Sequence, residues 1–112
     1  MARILVVDDE PDSLLAARAA LVGAGHACVL AADGERALEV LAAGGIDLLV
    51  IDPAMPLHDA WPVLDAATIP VVALSAAVRG PADGVVATVP KPVGAEALVT
   101  AVRSALAPRA RD

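Results

Sequence analysis

The chain reads as an α/β domain built on a doubly wound parallel sheet, and three features lead to that reading. Short, mostly apolar runs alternate five times with connecting stretches, most of them of helical spacing. Glycines and prolines mark most of the junctions. Each of the first, third and fourth runs stops abruptly at a polar side chain, at Asp8, Asp52 and Ser75. Repeated β-α alternation requires a parallel sheet covered on both faces. Right-handed crossovers then leave only doubly wound topologies.

The first strand is Ile4 to Val7, apolar throughout. Asp8-Asp9-Glu10 leads into Pro11, which suits a first helical position, and acids there match the helix dipole. That helix is expected to run to about Val22, with Leu14, Ala17, Leu21 and Val22 inward and Gly23 and Gly25 ending it. His26 to Leu30 is a second strand. Asp33 is the N-cap of a second helix that runs to about Ala43, burying Ala37, Leu38 and Leu41, with Gly44-Gly45 beyond it. The third strand, Leu48 to Ile51, is an unbroken apolar run that ends at Asp52, where Pro53 and Pro56 force a turn.

Beyond Pro56, Asp59 is expected to cap a short third helix from Ala60 to about Ala67, with Pro62 in its first turn. His58 then falls in the loop after Asp52. Trp61, the only aromatic, is a packing anchor or a partner contact. Pro70 to Leu74 is a fourth strand leading to Ser75. Ala76 to Gly84 carries too many glycines and prolines for an ordinary crossover helix, so that helix is reduced or absent. Val85 to Val89 is the fifth strand. Ala95 to Ala107 forms the last helix, with Leu98, Val99, Val102 and Leu106 inward and Pro108 at its end.

Composition narrows the function. The chain has 112 residues, 58% of them hydrophobic, which suits one globular domain. Its formal net charge is −6 and it has no basic cluster, which argues against direct contact with nucleic acid. The single cysteine, Cys28, fits a reducing compartment and points to the cytoplasm. No apolar run has the length or purity for membrane insertion.

In a sheet of this kind ligands bind beyond the carboxyl ends of the strands. Asp8 and Asp9, Asp52, Ser75 and Lys91 all fall on that rim. Asp8 and Asp9 as mere helix-terminus acids would be redundant with Asp12, and Lys91 is the only lysine in the chain. A compact ammonium suits a crowded phosphate site better than a planar guanidinium.

Val6-Val7-Asp8-Asp9-Glu10, Ile51-Asp52 with Met55-Pro56, Leu74-Ser75-Ala76 and Lys91-Pro92 together resemble the receiver domain of two-component response regulators. The resemblance spans nearly the whole chain. It implies a flavodoxin-like five-stranded sheet of order 2-1-3-4-5. It implies Mg²⁺-dependent phosphorylation of Asp52 by a histidine kinase or a histidine phosphotransfer protein. By the same resemblance Asp8, Asp9, Asp52 and the backbone carbonyl of Ala54 hold the metal. Ser75, Ala76 and Lys91 take up the phosphoryl group, and Pro92 follows a cis bond. Such chemistry needs an ionised nucleophile and a counter-charge for the product.

The departures are specific. The aromatic that usually stands three residues before the lysine is Thr88, and the chain has no Phe or Tyr. The segment 76–84 is expected to be locally unstable and to be ordered or moved by phosphorylation. Small residues at Ala54 and Ala77 imply open water access and brief phosphoryl lifetime. Residues 1–112 would form one receiver domain with no output domain, acting as a phosphoacceptor rather than an enzyme and signalling to a downstream protein partner. The alternative is a pseudo-receiver, a binding module of the same fold that is not phosphorylated. A phosphatase using a phosphoaspartate would need an acid where Ala54 stands.

Overall fold

The computed structural model describes residues 1–55, 57–75 and 85–107, with the backbone alone at residues 57–59, 61 and 75. The elements in order are β1 (Arg3–Val7), α1 (Pro11–Gly23), β2 (Ala27–Ala31), α2 (Gly34–Ala43), β3 (Leu48–Ile51), α3 (Leu57–Ala66), β4 (Val71–Ser75), β5 (Val85–Pro90) and α4 (Ala95–Leu106). The five strands form one parallel sheet in the order β2-β1-β3-β4-β5, the doubly wound flavodoxin-like arrangement.

Alternation along the strands divides the core. Ile4, Val6, Leu48, Val50, Val72 and Leu74 point to one face, where Leu14, Ala17 and Leu21 of α1 and Leu98 and Val102 of α4 cover them. Leu5, Val7, Leu49, Ile51 and Val71 point to the other, against Ala37 of α2 and Ala60 and Val63 of α3. Both faces of β1 and β3 are therefore dry, which is why these strands are apolar at every buried position.

Several junctions match their sequence signals. Asp33 caps α2, its carboxylate accepting Arg36 N at 2.8 Å. Gly44 and Gly45 take φ of 80° and 87°, which side chains resist, and so turn the chain from α2 into β3. The Lys91-Pro92 bond is cis.

Two details differ from the sequence reading. Val22 is 50% exposed rather than inward, because α1 is apolar on nearly every side and its spacing selects no single face. The short helix α3 begins at Leu57, so His58, Asp59 and Trp61 all lie inside it and Asp59 is not ahead of it as a cap. Pro62 falls in the middle of the helix, as its sixth residue. The crossover 76–84, Pro56 and Pro108 lie outside the described residues. No helix among the described residues is long and apolar enough to cross a membrane.

Candidate functional site

β1 and β3 are neighbours, with Val7 opposite Ile51. The next residue on each is an aspartate, so the topology alone sets Asp8 beside Asp52. The ladder continues one residue past the strands. Asp8 N donates to Ala31 O at 3.2 Å, and Asp52 N donates to Val7 O at 3.0 Å. Asp8 has 0% exposure and Asp52 6%. Carboxylates that dry are costly unless they are hydrogen-bonded or paired.

The backbone meets part of that need. Ala54 N donates to Asp52 Oδ1 at 2.8 Å, and Glu10 N donates to Asp8 Oδ1 at 2.9 Å. Each is an aspartate bonding the backbone two residues on, a turn that these short side chains form readily.

Lys91 meets more of it. It follows β5 directly and reaches back over the strand ends. Its Nζ lies 2.6 Å from Asp52 Oδ2, 2.5 Å from Glu10 Oε1 and 2.9 Å from Asp8 Oδ2. The first two contacts are hydrogen bonds. The third is an ion pair only, and Asp8 Oδ2 is buried with no hydrogen bond among the described residues.

The titration behaviour follows from this packing. Burial pushes the Asp8 carboxyl above its ordinary range, although Lys91 and the Glu10 N–H pull it back. The lysine hydrogen bond holds Glu10 below its usual range. Burial works against the charge on Lys91, but Asp52, Glu10 and Asp8 outweigh it and raise the ammonium well above the usual lysine value.

Carboxylate oxygens of Asp8, Glu10 and Asp52 lie within 4.8 Å of one another. Three formal negative charges thus face one positive charge. Clustered hard oxygen donors that outnumber the one ammonium beside them are what a small hard dication takes up, so the site fits Mg²⁺.

The structure brings together Asp8, Asp52 and Lys91 as the sequence indicated. Asp9 is exposed and stands outside the carboxylate cluster, whereas Glu10 belongs to it. Ala54 engages Asp52 through its N–H. Ser75 ends β4 opposite Pro90, its backbone at the same rim, and Ala76 lies outside the described residues. Thr88 is exposed on β5 and pairs in register with Ala73. Read from sequence, Glu10 had no role of its own in the site. Its position beside the aspartate pair was the one available signal, because its partner Lys91 is 81 residues away in sequence.

Comparison with known proteins agrees with this geometry. The family model described as the response regulator receiver domain matches residues 4–103. The transcriptional activator protein IrlR of Burkholderia pseudomallei (strains 1026b and K96243) is 35% identical over 93% of this chain and 50% of its own length. The chain thus spans about half the length of the curated relatives it matches. Chemotaxis response regulator CheY4 of Vibrio cholerae superposes with a TM-score of 0.85 at 25% identity, over 95% of this chain and 99% of that one. The receiver domain of the hybrid histidine kinase CckA superposes with a TM-score of 0.79 at 35% identity, over 94% and 99%. The acidic strand ends, the lysine that closes on them and a family match running from β1 into α4 have one common explanation: this chain belongs to the response regulator receiver domain family.

Proposed function

We propose that Asp52 accepts a phosphoryl group from a phosphohistidine on a histidine kinase or a histidine phosphotransfer protein, and that the modified rim signals to a downstream protein partner. The observation that carries this reading is the setting of Asp52. One of its oxygens is held by Ala54 N–H and the other faces the Lys91 ammonium at 2.6 Å. In the transfer, an Asp52 oxygen forms a bond to phosphorus as the donor's P–N bond breaks, and the electron pair stays on the departing ring nitrogen. Lys91 pairs with Asp52 beforehand and holds negative charge on the product afterwards. The buried position of Asp8 beside it excludes bulk water from one side of the acceptor.

Asp8 and Asp52 offer the buried carboxylates on which Mg²⁺ would be held, with Asp9 and the Ala54 carbonyl as further candidates from the resemblance. When bound, the ion supplies charge neutralisation among the acids and on the phosphoryl oxygens. By the resemblance, Ser75 would hydrogen-bond a phosphoryl oxygen and Ala76 would help to take up the group. With Thr88 at the usual aromatic position, the switch works without a ring that turns inward. The output partner is proposed to be a protein, and the cytoplasm, where reduced thiols and phosphoryl donors occur, is the proposed setting.

Intact-mass analysis after treatment with acetyl phosphate and Mg²⁺ tests the reading. One added phosphoryl group is expected on the wild-type chain and none on Asp52→Asn. Equal labelling of the two would overturn Asp52 as the acceptor, and a wild-type chain that takes no label would favour the pseudo-receiver.

A further inference from the structure

Lys91 is held by three carboxylates of unequal freedom. Asp8 and Asp52 are fixed twice over, by strand-ladder hydrogen bonds and by the backbone N–H groups that cap their side chains. Glu10 has its backbone fixed, since its N–H caps Asp8 and its carbonyl accepts Leu14 N. Its side chain is not fixed. It is 62% exposed and, among the described residues, its one hydrogen-bond partner besides Lys91 is the Ser13 hydroxyl, at 3.5 Å. Of the three partners it alone can leave without disturbing a strand.

A phosphoryl group on Asp52 brings more negative charge to the same spot and needs the donors of Lys91. The lysine cannot serve both anions well, and a second carboxylate beside the phosphoryl oxygens repels them. We infer that Glu10 is an internal competitor for Lys91: its carboxylate occupies the ammonium before phosphorylation and swings out to solvent when a phosphoryl group engages the same lysine. Glu10 is therefore a positioning residue that opposes the phosphorylated state. This rests on the phosphoacceptor reading of Asp52.

The test uses Glu10→Gln, which keeps the size of the side chain and removes its charge. The probe is beryllium trifluoride, a tetrahedral phosphoryl mimic, with Mg²⁺. Calorimetry should show the variant binding the mimic roughly fivefold tighter than wild type, about the difference between a charged and a neutral hydrogen bond. Because Lys91 is the only lysine, ¹⁵N-lysine labelling gives one side-chain ammonium signal. That signal should differ between wild type and Glu10→Gln without the mimic and coincide once the mimic is bound. A lysine signal that stays different in the bound state would overturn the proposal, as would equal affinities. Weaker binding by the variant would also overturn it, and would make Glu10 a ligand of the cation. Wild-type protein that binds no mimic while Asp52 resists acetyl phosphate would overturn the phosphoacceptor reading itself, and this inference with it.

Discussion

The two ends of the sheet handle charge in opposite ways. At the amino end, Asp47 is exposed and its carboxylate accepts Arg3 N at 2.8 Å, while its own N–H donates to Arg3 O at 2.8 Å. His26 Nδ1 accepts Ala2 N at 3.1 Å nearby. These polar side chains find a backbone partner within reach of water. At the carboxyl end, two buried aspartates and Glu10 converge on one ammonium, and an oxygen of Asp8 has no hydrogen bond among the described residues. The first arrangement closes a domain economically. The second keeps an electrostatic imbalance that an added cation would relieve. The contrast separates an end whose polar groups are paired with the backbone from one where acids crowd a single ammonium.

The contrast makes graded predictions. The largest is for Lys91→Met, which leaves Asp8 and Asp52 buried without a counter-charge and should destabilise the fold by about 3 kcal/mol in urea denaturation. Because the folded state raises the Lys91 value, its contribution is complete below the ordinary 10.5 and is lost as pH rises through the higher folded value. Cys28, whose thiol burial pushes up from 9.0, also loses stability with rising pH, so the comparison belongs in a Cys28→Ala background. There, the alkaline decline should vanish with Lys91→Met, as the chain has no tyrosine to add its own.

Gly44→Ala, toward the amino end, forces a side chain into φ of 80° and should cost about 1–2 kcal/mol. Asp8→Asn should run the other way. It removes a buried charge that burial disfavours, and should stabilise the metal-free chain by about 1 kcal/mol while weakening Mg²⁺ binding. Asp47→Ala should be the mildest, at about 0.5 kcal/mol, since water replaces the exposed hydrogen bond it loses. Thermal unfolding with and without Mg²⁺ separates the last two variants.

What could be read from the residues follows the same division. β3 was read at its observed limits because Asp47 and Asp52 bracket an apolar run that no helix could use. Asp8, Asp52 and Lys91 were visible as strand-end groups, and parallel topology does the rest. The inner face of α1 was misread at Val22 because Leu15 and Val22 are apolar and exposed, so spacing alone had no polar side to contrast. α3 was placed three residues late because Pro62 seemed to need a first turn and Asp59 looked like a cap. Glu10 escaped notice because its role depends on an ion pair closed across the whole sheet, which local pattern does not encode.

Calorimetric titration with Mg²⁺ puts the difference between the two ends to the test. One ion should bind per chain, binding should be lost when Asp8 and Asp52 are both changed to Asn, and it should be untouched by Asp47→Ala. Absence of binding to the wild-type chain, or binding indifferent to Asp8 and Asp52, would contradict the account.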